Sequence, residues 1–271
     1  MDILDLRGGT DERFSLPFHL SQICYMVATM AKVKDAKKKD LAFLREEDLV
    51  RAIIRTRNAH RKGSTHRRPN IITELDVSVG RADLVFFQLK KDWRRRAQYA
   101  RLPSRWIYAL RVLPYRKKFT PDEFSSLCGV SRSTAMLALR RYEGLGYCRR
   151  TTDKKAWLKV RQPAPVVSRI IAIEAKLTDW RRAISQAYSY QRYANQSWVT
   201  LDASRAGRAI LAKDEFQRLN VGLKVVDTKG KTKTYFTPRF HAPRSPLHFW
   251  EANGLIAASL SFPRGMNFNL S

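Results

Sequence analysis

Apolar and polar positions divide the chain into stretches of helical and of extended period. Residues 21–36 read as a helix. Residues 41–57 read as a stronger one, because Leu41, Leu44, Leu49, Ala52 and Ile53 recur about three and four apart. Two extended stretches, 70–78 and 82–89, lie on either side of Gly80, and a short glycine-containing connection predicts an antiparallel hairpin. Further on, the order is strand 169–176, helix 179–194, strand 197–202, helix 204–219, then strands 221–227 and 232–237. Strand–helix–strand alternation predicts an α/β fold: a mixed sheet flanked by helices. Pro238, Pro243, Pro246 and Pro263 break up residues 238–271, and 241–271 read as an irregular tail with room for one short helix.

Residues 90–165 interrupt this pattern. Arg105–Val112 reads as a helix ended by Pro114. Thr120 is placed to cap a second helix with Pro121 in its first turn, and that helix ends at Gly129. Ser131 caps a third, running to about Glu143. Two short strands, 146–151 and 155–160, flank the turn Thr152-Asp153-Lys154, and Gln162-Pro163-Ala164-Pro165 reads as a linker. The expected division is therefore 1–89 and 166–240 as two parts of one core, with 90–165 as an insert.

Charge narrows the partners. The chain of 271 residues carries 52 Lys+Arg against 24 Asp+Glu, a formal +28. Such an excess favours a polyanion, with nucleic acid first and an anionic membrane surface second. No apolar run is long enough to span a bilayer and no signal-peptide pattern opens the sequence, so the expected compartment is the cytoplasm. The three cysteines, Cys24, Cys128 and Cys148, fit neither a disulfide framework nor a zinc site and read as small core residues.

The chemistry sits on two of the extended stretches. Ile170-Ile171-Ala172-Ile173-Glu174-Ala175-Lys176 places an acid and a lysine two positions apart, hence on one sheet face. Gly80-Arg81-Ala82-Asp83-Leu84-Val85 supplies a second acid at the start of another apolar run. Two carboxylates on neighbouring strands are hard oxygen ligands for Mg²⁺ or Mn²⁺. An ion held there acidifies water and polarises a phosphoryl oxygen, while Lys176 would orient the water or stabilise developing charge.

The run Gly80–Val85, Glu174-x-Lys176 and Gln186-x-x-x-Tyr190 resembles the PD-(D/E)XK, or restriction-endonuclease-like, nuclease superfamily, over about 41–89 and 166–237. The resemblance implies Asp83 and Glu174 as metal ligands, Lys176 as the catalytic lysine, and Gln186 and Tyr190 as residues that position substrate. It also implies an acid on the first helix: Glu47 is the first candidate and Glu46 the second, with Glu74 on the first strand as a rival. Ala82 stands where the family usually has proline. The 105–160 unit, through Phe124–Ala135 and Leu139–Tyr147, resembles a winged helix-turn-helix. Ala135, Leu139 and Tyr142 would then face its core, and Arg132, Ser133, Met136 and Arg140 would enter a major groove. Arg149, Arg150, Lys154 and Lys155 would meet phosphates from the wing, and Lys90, Lys91, Arg94, Arg95 and Arg96 would line a track beside it.

The expected function is thus a Mg²⁺-dependent deoxyribonuclease acting on double-stranded DNA, including branched or single-stranded regions. Two-strand cleavage implies a second active site, from a homodimer or a partner subunit. A non-catalytic DNA-binding regulator or recruiting subunit on a vestigial nuclease fold is the alternative. His60 and His66 read as phosphate or surface residues, and Trp180, Tyr188 and Tyr193 as core packing.

Overall fold

The computed structural model describes residues 42–59 and 70–261. The helix expected at 21–36, Cys24, and His60 and His66 of the basic loop lie outside them. The fold is α/β: one mixed six-stranded sheet flanked by helices. Helix α1 (Glu46–Ala59) precedes the hairpin β1 (Asn70–Val77) and β2 (Gly80–Leu89). Then β6 (Val167–Lys176), α6 (Trp180–Tyr190), β7 (Gln196–Asp202), β8 (Gly222–Val226) and β9 (Thr232–Phe236) complete the sheet in the order β1-β2-β6-β7-β8-β9. The β6–β7 and β7–β8 pairs are parallel and the others antiparallel.

Side chains alternate across β2 and β6 and so build two separate cores. Leu84, Phe86, Ile173 and Ala175 pack with Leu49, Ala52 and Ile53 of α1. Val85, Phe87, Ile170 and Ala172 pack with Ala183, Ile184 and Ala187 of α6.

The chain between β2 and β6 forms α2 (Trp93–Arg96), a 3₁₀ turn (Ala97–Arg101), α3 (Ser104–Val112), β3 (Lys118–Phe119), α4 (Pro121–Cys128), α5 (Arg132–Gly144), β4 (Cys148–Arg150) and β5 (Trp157–Lys159). The capping residues act as expected. The Thr120 hydroxyl accepts from the Glu123 amide while the Glu123 carboxylate accepts from the Thr120 amide. Gly129 ends α4 in the left-handed region at φ 62°. The Ser131 hydroxyl accepts from the Thr134 amide at the start of α5. Unforeseen is β3, a two-residue strand that makes the small sheet three-stranded, in the order β3-β5-β4. One apolar cluster runs from this stretch into the main sheet.

Lys159 on β5 is fully buried and donates to the Leu110 and Arg111 carbonyls, 3.0 and 3.2 Å away, at the end of α3. Burial, with the Arg111 charge adding to it, holds its ammonium down to about 8. Lys159→Ala is expected to destabilise the chain by about 2–4 kcal/mol through two orphaned carbonyls and lost packing, read by denaturant unfolding. A change below about 0.5 kcal/mol, the level of an ordinary surface substitution, would contradict this role.

Three expectations are corrected. The stretch read as an irregular tail holds a sixteen-residue helix, α9 (Pro246–Ser261). It is apolar on most sides, so it carries no stripe to betray it, and it is buried where an all-round apolar helix belongs. Its Asn253 carboxamide accepts from the Val166 and Val167 amides, and its Glu251 carboxylate accepts from both the amide and the hydroxyl of Ser78 in the hairpin turn. Gly254 allows α9 close to α3, since a Cβ there would lie 2.4 Å from Ile107 Cδ1. The helix expected at 204–219 is two short ones, α7 (Gly207–Leu211) and α8 (Lys213–Leu219), separated at Ala212. Trp180 and Tyr193 are core residues, but Tyr188 is exposed, with Arg244 over its ring. Of the cysteines described, Cys148 is buried and Cys128 half-buried.

Candidate active site

The register pairs Leu84 with Ile173, which sets Asp83 opposite Glu174 on the face that α6 covers. Asp83 Oδ2 accepts from the Ala175 amide at 2.7 Å. Glu174 is buried; its Oε2 accepts from the Tyr190 hydroxyl at 2.6 Å and its Oε1 lies 3.2 Å from Lys176 Nζ. Lys176, on the last position of β6, also reaches Glu46 Oε2 at 2.9 Å, in the first turn of α1. Asp83, Glu174, Lys176 and Tyr190 are thus brought together, with Glu46 beside them.

Helix α6 is latched over this edge. Ser189 donates to the Val79 carbonyl, and Tyr190 lies 2.8 Å from the Arg81 carbonyl. Gly80, at φ 135°, passes so near that a Cβ would stand 3.3 Å from Tyr190 Cε1. The single Tyr190 hydroxyl proton has two oxygen neighbours, and a protonated Glu174 would satisfy both contacts.

Electrostatics favour that state. Burial raises the Glu174 carboxyl above its ordinary range; the Tyr190 bond opposes this and the Asp83 charge adds to it. Burial likewise raises Asp83, against the Ala175 amide and Lys176, with Glu46 and Glu74 adding to the rise. Burial depresses Lys176, but the bond to Glu46 and the charges of Glu174 and Asp83 outweigh it, so its net shift is upward. Lys176 therefore stays an ammonium at neutral pH: it can stabilise negative charge and is ill suited to act as a base.

Among the described residues no group of three or more His, Cys, Asp or Glu side chains is arranged to hold an ion. Glu46 and Glu47 are both exposed, and the acid that meets Lys176 is Glu46. Glu46, Leu49 and Ile53 fall at i, i+3 and i+7, so Glu46 stands in line with the buried positions of α1 although it is itself exposed. Glu74 lies opposite Asp83 across the hairpin, exposed, and is held at φ 55°, a conformation costly for a residue with a Cβ.

Compared with family models, curated proteins and solved structures, the chain matches none.

The Gln186 Oε1 is buried and has no hydrogen-bond partner among the described residues, one turn before Tyr190 on α6. The basic residues are dispersed. Arg132, Ser133 and Arg140 are exposed on α5 and Met136 is half-buried; Arg132 pairs with Asp122 at 2.8 Å. Arg149, Lys154 and Lys155 are exposed, and Arg150 lies over Trp157. Lys90 and Lys91 follow the far end of β2, roughly 20 Å along the strand from Asp83. Arg94 lies over Trp93, Arg95 is exposed, and Arg96 is tied to Asp92. The carboxylate edge and this run therefore occupy opposite ends of the sheet.

Tyr190→Phe removes the one hydroxyl that lowers the Glu174 carboxyl. Any activity that needs ionised Glu174 should have its acid limb displaced to higher pH in that variant, read from a pH–rate profile. An unmoved limb would show that the hydroxyl does not govern Glu174.

Proposed function

We propose that the chain is a Mg²⁺- or Mn²⁺-dependent DNA nuclease with a restriction-endonuclease-like core, and that the 90–165 stretch is a winged helix-turn-helix that reads duplex DNA. The observation that carries the reading is the convergence of the buried Glu174 carboxylate and the half-buried Asp83 carboxylate with the ammonium of Lys176 at one end of two central strands. The donor set fits the ion: burial raises both carboxyls, a shift that a bound cation opposes, and Mg²⁺ is commonly held by one or two carboxylates plus water and substrate phosphate. Asp83 and Glu174 would hold it, and it would supply Lewis acidity at a phosphodiester.

The chain's own residues have separate tasks. The Ala175 amide fixes Asp83, and Tyr190 fixes Glu174. Lys176 would place its charge where the attacked phosphate becomes more negative, and Glu46 restrains that ammonium. In α5, buried Ala135, Leu139 and Tyr142 seat the helix and leave Arg132, Ser133 and Arg140 outward, which supports the DNA-reader reading. Among the described residues, no helix is long and apolar enough to cross a membrane.

Arg140→Ala is expected to weaken duplex binding and lower the salt slope of log K by about one if it meets one phosphate. An unchanged slope would remove Arg140 from the interface. The proposal itself is tested by incubating the purified chain with linear, supercoiled, nicked and branched DNA in Mg²⁺ or Mn²⁺. One observation favours a non-catalytic reader instead: both Glu174 oxygens and Asp83 Oδ2 are already engaged by groups of the chain. No cleavage of any substrate, with no metal binding, would decide for that alternative.

A further inference from the structure

The other face of the sheet carries a concave site, away from the carboxylates. A cavity of about 560 Å³ opens beside α1; its lining includes Phe86, Ile171, Trp198, Arg57, Arg169 and Lys224, with Arg57 over the Phe86 ring. Helix α1 has Glu46 at one end, against Lys176, and Arg57 near the other, so the helix separates the two sites by roughly 17 Å. Among the described residues, no Asp or Glu lines the cavity.

Among the described residues, Arg169 and Lys224 have no carboxylate partner there. Arg169 donates through Nη2 to Gln196 Oε1 at 2.5 Å, and its buried Nε has no hydrogen-bond partner among the described residues. The Lys224 ammonium stands 4.9 Å over the Trp198 ring, and no carboxylate among the described residues pairs with it. Burial, then the Arg57 charge, pushes that ammonium below its ordinary value, so an anion there would relieve a real repulsion. Like charges gathered in a concave apolar setting are the complement of a multiply charged anion with a hydrophobic body. The volume lies within the range of small-molecule sites and exceeds what phosphate alone would fill.

We infer that this cavity binds a free nucleoside di- or triphosphate, its phosphates on Arg169 and Lys224 and its base against the apolar part of the lining. The site stands apart from the nuclease reading, and neither depends on the other.

The test is calorimetric titration of the full chain with ATP at ~150 mM salt, where diffuse attraction to a basic protein is screened. Lys224→Gln and Arg169→Gln are each expected to weaken ATP binding by about tenfold or more, and inorganic pyrophosphate should compete. Arg208→Gln with Arg218→Gln, on the exposed surfaces of α7 and α8, should leave ATP binding unchanged. Absence of binding up to about 1 mM, or equal weakening by the surface pair, would overturn the inference. So would competition by 5′-phosphorylated oligo(dT) as strong as by ATP, which would make the cavity a strand site. Should either cavity variant melt differently from the parent, azido-ATP photolabelling of the parent decides. Label in peptides holding Phe86, Trp198 or Lys224 supports the cavity, and label elsewhere rejects it.

Discussion

Lys176→Ala should abolish metal-dependent DNA cleavage while leaving DNA binding within about twofold of the parent. The loss expected is on the order of 10²–10³ in single-turnover rate, the effect of deleting one preorganised donor to developing charge. The reasoning is local. Nζ sits 3.2 Å from Glu174 Oε1 and 2.9 Å from Glu46 Oε2, so the side chain is fixed before any substrate arrives. Its net upward pKa shift keeps it cationic, so the rate should not acquire a basic limb near neutrality from this residue. Filter binding or anisotropy would measure the unchanged affinity, and gel-resolved single-turnover cleavage the lost rate. A variant that cuts as fast as the parent removes Lys176 from the chemistry.

Glu174→Gln should cost activity and add stability. The carboxyl is buried, faces Asp83 across the strand pair, and is raised by burial and by that neighbouring charge. A carboxyl whose folded pKa is raised leaves the folded state intact below the ordinary carboxylate range and weakens it as pH rises through the raised value. Without metal, the parent should therefore lose stability between the ordinary carboxylate range and neutral pH, and Glu174→Gln should lose less. At pH 7 the variant should melt a few degrees higher in EDTA, as expected when a strained functional group is removed. Mg²⁺ should narrow that gap by stabilising the parent alone. Equal melting temperatures in EDTA at pH 7 would mean that Glu174 is not strained.

Much of the sheet was legible because its signals are local. Gly80 between two extended runs marked the β1–β2 hairpin, and Thr120-Pro121, Gly129 and Ser131 marked the ends of α4 and α5. The Asp83–Glu174 pairing was expected from an acid on each of two apolar runs and from the resemblance, but not its contacts, since their juxtaposition depends on strand register and not on sequence distance. Strand β3, two residues long, has no periodicity to read. Helix α9 was hidden because its apolar residues surround it and prolines precede it, so burial and not an amphipathic stripe defines it. The Tyr190 contact to the buried Glu174 carboxylate was not legible, because it is made only when α6 packs on β6.

The carboxylate pair is the account's centre, and one measurement reaches it most directly. Supercoiled plasmid is incubated with the parent chain and with Asp83→Asn, each in Mg²⁺ and each in EDTA. Asp83 makes its contact at the sheet edge through the Ala175 amide, so the asparagine variant should keep the fold and lose one ligand. Nicked or linear product is expected from the parent in Mg²⁺ alone, and none from the variant in either condition. Cleavage by the parent in EDTA, or by Asp83→Asn in Mg²⁺ at the parent's rate, would contradict it.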